Sequence, residues 1–273
     1  MLPNHHLYEA AWGAAGLIWA SCGAVLLRRR AGGAASWPRL LALVAAALAA
    51  TLAGARLHFI LLAPDLLHTL GWHALVLPVA EGAGLRISGG LLTGLAVLTL
   101  AGPSATGGRL GRAAIADVLV PLAGLAVAVG RLGCFADGCC FGTRCTAPWC
   151  VRFAAGTPAW WNHVAQGLVT TSAPESASVH PLPLYLALAA LLASATSLLS
   201  VPRRTLPDGV RALAFVGVLA LLRALVEPLR ETAFGAGVPY ERALSLAIAA
   251  GAGAPLVSRL RTQRGAAPRG SGS

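Results

Sequence analysis

Charge is what this 273-residue chain has least of: aspartate, glutamate, lysine and arginine together make up 11% of it, and only ten residues are acidic. A chain so poor in charge cannot cover a string of soluble domains with water-compatible surface, which excludes that organisation. Lysine is absent, so all 21 basic residues are arginine, a bias of composition that carries no functional signal of its own. The formal charge of +11 is not a nucleic-acid footprint, because the arginines fall at the ends of apolar runs and not along an amphipathic basic face. No basic region precedes the first apolar run; Arg28, Arg29 and Arg30 follow it, the reverse of a cleaved signal peptide. No internal repeat is evident. The cysteines lack the paired C-x2-C knuckles of a structural zinc site.

What is present in quantity is apolar sequence. Hydrophobic residues make up 56% of the chain and the mean hydropathy is +0.70. Several runs approach the length needed to cross a bilayer. The pattern predicts an all-α, polytopic membrane helix bundle of about seven spans: Ala10 to Leu27, Leu40 to Leu57, Leu85 to Leu100, Ala113 to Val129, Pro183 to Val201, Val210 to Glu227 and Ala243 to Val257. Residues 1–264 are expected to form a single membrane domain, and the Gly/Ser-rich segment 265–273 a disordered cytoplasmic tail. Arginines cluster in alternate connections, at Arg28 to Arg39, Arg109 and Arg112, Arg203 and Arg204, and Arg259 to Arg269. By the positive-inside rule these face the cytoplasm, with the N-terminus out and the C-terminus in. The connections Leu61 to Gly84 and Ala136 to Pro181 then face outward.

That topology brings the polar residues to one leaflet. Arg131 lies at the outer end of the fourth span, Ser88, Gly89 and Gly90 at the outer start of the third, and His180 at the outer start of the fifth. In the sixth span Arg223, Glu227 and Arg230 are spaced i, i+4, i+7, within roughly 60° of one helical face. Charges inside a bilayer are costly unless they pair or face a polar cavity. One carboxylate cannot neutralise three arginines, so the excess cation suits an anionic lipid head group; the alternative is an Arg223–Glu227 pair that merely neutralises itself between helices. The backbone donors at the helix start near Ser88 would add to a phosphate seat, although Gly89 and Gly90 equally suit close helix packing. Pro228 should loosen the last turn of its helix.

The segment Gly130-Arg131-Leu132-Gly133-Cys134-Phe135-Ala136-Asp137-Gly138-Cys139-Cys140-Phe141-Gly142 joins a fixed charge, a carboxylate and three thiols to four glycines that permit turns and close backbone approach. Gly130-Arg131-Leu132-Gly133, with Phe135, Gly138 and Gly142, resembles the signature of the prolipoprotein diacylglyceryl transferases of the bacterial inner membrane. The likeness runs along most of the chain. Gly54-Ala55-Arg56-Leu57 is similar to the family's second-span motif and Ser88-Gly89-Gly90-Leu91 to its third-span His-Gly-Gly element. His180-Pro181 with Leu184-Tyr185 resembles its fifth-span motif, and Arg223, Glu227 and Arg230 its sixth-span pattern.

The resemblance implies a multi-pass enzyme of the bacterial plasma membrane. It would move a diacylglyceryl group from phosphatidylglycerol to a cysteine thiol of a lipoprotein signal peptide, without a dissociable cofactor or metal. Arg131 and Arg223 would bind and stabilise the departing phosphate, with Glu227 orienting Arg223 or Arg230 and His180, Asp137 or Glu227 as the available bases. Arg230, Ser88, Gly89, Gly90, Arg56, Asp137, Gly138, Cys139 and Tyr185 complete the substrate-binding set. The partners implied are phosphatidylglycerol, the signal peptide and membrane lipids, and no nucleic acid. The chain also departs from the family pattern: Ser88 stands for a histidine, Cys134 for an asparagine, Cys139 for an acidic residue, Pro183 and Leu186 for a glutamine and a glutamate, and Leu219 for a tyrosine. The alternative reading is a non-transferase relative, a thiol-redox, metal-handling or lipid-binding membrane protein.

Five of the six cysteines, Cys134, Cys139, Cys140, Cys145 and Cys150, fall on the side expected to face outward. Two disulfides would staple that connection and leave one thiol over, with a connectivity that sequence cannot give. Trp149, Trp160 and Trp161 read as an interfacial belt, and His58, His68 and His73 as interfacial histidines.

Overall fold

The computed structural model describes residues 5–61, 68, 71, 73, 87–199, 206–231 and 237–265. The described residues are helical with turns and isolated bridges. Long helices are α1 (His5–Arg30), α2 (Trp37–Leu61), α3 (Ile87–Ala105), α4 (Arg112–Asp137), α6 (Leu182–Leu199), α7 (Val210–Val226) and α8 (Gly237–Gly265), with a short α5 (Pro158–Ala165). Six of these are long and apolar enough to cross a membrane, and α3 contributes a shorter apolar stretch, Leu92–Ala105. All seven expected spans thus appear as helices. Lipid forces this choice, since a spanning segment must satisfy its own backbone donors and acceptors. Of the tail expected from Gly265, residues 266–273 lie outside the described residues.

The chain divides into two compact units, residues 20–119 and residues 1–19 with 120–273. In the first, α1 closes through Gly32 and Gly33, both at positive φ, and Arg28 turns back to donate from Nε to the Ala35 carbonyl at 3.1 Å. Its guanidinium lies 5.0 Å from the Trp37 ring centroid. Helices α2 and α3 then pack at very close range. A Cβ on Gly89 would meet the Gly54 carbonyl oxygen at 2.5 Å, and one on Gly90 the Thr51 carbonyl oxygen at 2.6 Å. Thr93 Oγ1 donates across this seam to the Ala50 carbonyl at 2.6 Å. Small residues and a hydroxyl bridge are how helices associate where lipid supplies no hydrophobic drive between them.

In the second unit α7 packs between α6 and α8. Ser194 of α6 donates to the Pro121 carbonyl of α4 at 2.8 Å, using an acceptor next to the proline interruption of that helix. The connection between α4 and α6 is more than a linker. Phe141, Phe153, Ala159 and Val179 form a small buried core, flanked by Phe135 and Val151. Isolated antiparallel bridges join Arg144 and Val151 to Val179 and Ala154 to Glu175. Thr157 caps α5 by accepting from the Trp160 amide.

Candidate functional site

The signature segment divides into a helical half and a turn. The apolar run was expected to end near Val129, yet α4 continues to Asp137. Gly130 and Gly133 use their missing side chains to admit α1: a Cβ on Gly130 would come within 2.6 Å of the Trp12 indole, and one on Gly133 within 3.2 Å of the Tyr8 Cα. Arg131 is 8% exposed, and its Nε has no hydrogen-bond partner among the described residues. The groups that its charge acts on are Cys140, Cys134, Cys139 and Tyr8.

The helix ends in a Schellman closure. The Gly138 amide donates to the Phe135 carbonyl at 3.2 Å and the Cys139 amide to the Cys134 carbonyl at 3.1 Å. Gly138 takes φ +73° and Cys140, a non-glycine, takes φ +56°. This turn folds Cys139 and Cys140 back over the last helical turn, so that the sulfurs of Cys134, Cys139 and Cys140 lie within 4.8 Å of one another. Hydrogen bonds from Cys134 and Cys139 hold the Cys140 thiol well below the ordinary thiol range, while the same network, with burial, pushes Cys139 up. Asp137, the last residue of α4, is buried.

The second cationic group lies at the end of α7. Sequence phase placed Arg223, Glu227 and Arg230 on one helical face, but α7 stops at Val226 and residues Glu227–Leu229 form a 3-10 turn containing Pro228. Proline has no amide hydrogen to continue the ladder, which tightens the turn and leaves Arg230 in extended conformation. Contact survives the change. Arg230 Nε donates to Glu227 Oε1 at 2.6 Å, and Arg223 Nε lies 3.7 Å from Glu227 Oε2. Glu227 is 1% exposed, and it is shared between two guanidiniums. Arg223 has a further partner that the sequence reading missed, Glu241, at 2.8 Å from its NH2. Arg223 also lies within electrostatic reach of Arg131.

The connection between α4 and α6 ties these parts together through backbone. Gly142 pairs with Arg230, and Thr143 N–H donates to the Leu229 carbonyl at 2.7 Å. Gly142 N–H also donates to the His180 carbonyl at 3.0 Å. A Cβ at Gly142 would fall 2.7 Å from both the Leu229 oxygen and the His180 Cβ, so glycine is what permits this three-way approach. The half-buried His180 ring shares a hydrogen bond of 3.2 Å with the Tyr185 hydroxyl. It lies beside the Cys145–Cys150 disulfide. One disulfide therefore stands where sequence suggested two, and Cys134, Cys139 and Cys140 are free thiols.

One aromatic residue of this connection differs from expectation. Trp149 and Trp161 are exposed as a belt requires, but Trp160 is buried because its indole N–H donates to the Ala173 carbonyl at 2.8 Å. His163, which the sequence reading passed over, is fully buried and accepts the Ala177 amide on Nδ1 at 3.1 Å. Burial pushes its pKa down, helped by the charge of Arg144 and opposed by Glu231.

The remaining candidates belong to the other unit. Arg56 is buried in α2 with its guanidinium 5.8 Å from the Phe59 ring centroid. Gly89 and Gly90 are used for the α2–α3 seam described above. Ser88 is in the first turn of α3, and its side chain lies outside the described residues, as do the residues around His68 and His73.

Comparison with known proteins agrees with the sequence resemblance. No curated protein matches the chain. The family model for prolipoprotein diacylglyceryl transferase matches residues 6–257. That match covers nearly every described helix and both cationic groups, and the chain belongs to the prolipoprotein diacylglyceryl transferase family.

Proposed function

We propose that this multi-pass membrane protein transfers a diacylglyceryl group from phosphatidylglycerol to the cysteine thiol of a lipoprotein signal peptide at the outer leaflet of the bacterial inner membrane. The observation that carries the proposal is the pairing of a cation held in place by carboxylates with one left available. Arg223 and Arg230 are fixed by Glu227 and Glu241, while the buried Nε of Arg131 has no partner among the described residues. A lipid phosphate fits that vacancy in charge and in hydrogen bonding.

In the reaction the acceptor sulfur attacks the glyceryl carbon, a sulfur–carbon bond forms, and the carbon–oxygen bond to phosphate breaks. Glycerol phosphate leaves with the bonding electrons and the thiol proton is lost to a base. Arg131 and Arg223 stabilise the charge that develops on the leaving phosphate. Glu227 keeps Arg230 in place, Glu241 does the same for Arg223, and neither carboxylate need touch the substrate. His180 is held by Tyr185 and by the backbone at Gly142, which suits it to lining the entrance for the peptide. The thiol cluster favours a second reading, a relative that binds anionic lipid and uses its cysteines in place of acyl-glyceryl transfer.

One experiment separates these. Purified protein is mixed with phosphatidylglycerol vesicles and a cysteine-bearing signal peptide, and mass spectrometry is used to find a thioether-linked diacylglyceryl adduct. The adduct is expected with cysteine and not with a serine peptide; its absence in every anionic lipid tried would overturn the transferase reading.

A further inference from the structure

The three thiols at the end of α4 stand in an arrangement that neither family resemblance nor cysteine spacing accounts for. Cys134, Cys139 and Cys140 are spaced C-x4-C-C, yet the Schellman closure and the left-handed Cys140 bring all three sulfurs within 4.8 Å of one another. Zinc binds thiolate at about 2.3 Å, which puts the sulfurs of a tetrahedral site roughly 3.8 Å apart. Side-chain rotation alone covers that difference, since the Cys139 amide to Cys134 carbonyl bond at 3.1 Å already fixes the backbone. A non-glycine residue such as Cys140 at left-handed φ costs some energy, and such strain collects at sites where geometry serves a purpose.

We propose that Cys134, Cys139 and Cys140 form a trithiolate site for a thiophilic d10 ion, zinc(II) being the commonest, with the fourth coordination position left for the thiol of the acceptor peptide. Three thiolates and one divalent ion carry a net charge of −1, and the guanidiniums of Arg131 and Arg230 act on this cluster to offset it. Soft sulfur donors select such ions over magnesium or calcium. Three protein ligands with one open position is the arrangement of a reactive zinc centre rather than a closed structural one. Loading the site releases three thiol protons to water, and coordination of the acceptor releases one more; nothing is oxidised or reduced. A thiol bound to zinc is deprotonated outright. That supplies a nucleophile in a chain whose Ser88 cannot perform acid–base work near neutral pH. The role of the fourth position rests on the transferase reading; the metal site does not. The other sulfur-rich group, Cys145, Cys150 and His180, has its two sulfurs in a disulfide and serves as an internal control.

The test uses the full chain in detergent with its free thiols reduced, and cadmium(II) as the probe through its ultraviolet thiolate charge-transfer band. One ion per chain is expected. Cys134→Ser, Cys139→Ser and Cys140→Ser should each weaken binding by more than the roughly tenfold that loss of an outer-shell partner costs, and Cys145→Ser with Cys150→Ser should leave it unchanged. Should the buried Cys134 variant fail to fold, the exposed Cys140 variant carries the same comparison. No cadmium band in folded protein, or a band undiminished in Cys140→Ser, overturns the site. Adding a cysteine peptide to the loaded protein should strengthen the band while a serine peptide does not; no difference between them overturns the open position. Transfer absent from loaded protein with the cadmium site intact sinks the transferase reading alone. Transfer undiminished after all three cysteines are replaced sinks the metal's part in it.

Discussion

The end of α7 holds two half-buried arginines and the end of α4 a buried one, and they are treated in opposite ways. At α7 two guanidiniums meet two carboxylates, Glu227 and Glu241, in contacts of 2.6, 2.8 and 3.7 Å. At α4 the neighbours of Arg131 are thiols and a tyrosine, and one buried nitrogen has no acceptor among the described residues. A matched network is costly to break, and an unmatched cation is cheaper to remove. The difference separates a group whose charges are matched within the protein from one whose charge is matched less fully.

Breaking the matched end should give the largest change in stability. Glu227→Gln leaves Arg230 beside a neutral amide and Arg223 with Glu241 alone, and is expected to cost about 3 kcal/mol, read as a lowered melting point in detergent. A variant as stable as the parent would remove Glu227 from any structural role. Next comes the unmatched end, where Arg131→Gln should melt within about 1 kcal/mol of the parent but lose roughly 100-fold in phosphatidylglycerol turnover. Unchanged turnover there would end its assignment to the head group. Glu241→Gln sharpens the comparison, because Arg223 retains Glu227; a loss of about 1 kcal/mol is expected, with turnover falling less than in Arg131→Gln.

The smallest effect concerns pH. Burial holds His163 below its ordinary pKa, so once the pH falls below about 6.5 the unfolded ring takes up a proton that the folded ring resists. Stability contributed by the neutral ring is therefore present above that value and declines beneath it, until the folded ring also protonates. The protection factor of the Ala177 amide, with the intrinsic base-catalysed exchange rate divided out, should fall between about pH 7.5 and about pH 5, and His163→Gln should flatten the response.

Hydropathy located every long helix, since lipid leaves a spanning chain one economical conformation and apolar length reports it directly. It failed at the ends, where the candidate site lies. Arg131 and Asp137 interrupt the apolar run without interrupting the helix, so α4 runs on to a stop that only the Gly138 turn reveals. Glu241 escaped notice because the last apolar run begins at Ala243, although α8 begins at Gly237. Helical phase grouped Arg230 correctly with Glu227 but for the wrong reason, as Pro228 had already changed the turn. The family motifs reached further than periodicity did. They singled out Gly130, Gly133 and Gly142 without saying what crowds them, which turned out to be Trp12, Tyr8, Leu229 and His180. Meeting of three sulfurs depended on backbone closure that spacing does not encode.

The pairing of Gly142 and Thr143 with Leu229 and Arg230 also sets a timetable for synthesis. A ribosome delivers α4 and its thiols long before it delivers Leu229 and Arg230, so Arg131 enters the bilayer after α1, α2 and α3 and before its neighbours from α7 exist. Only when α7 has entered, and the segment after it has been drawn back to the connection between α4 and α6, do the two cationic groups come together. A chain truncated before Leu229 would therefore keep its apolar helices yet lack the backbone clasp that joins the segment after α7 to Gly142 and Thr143.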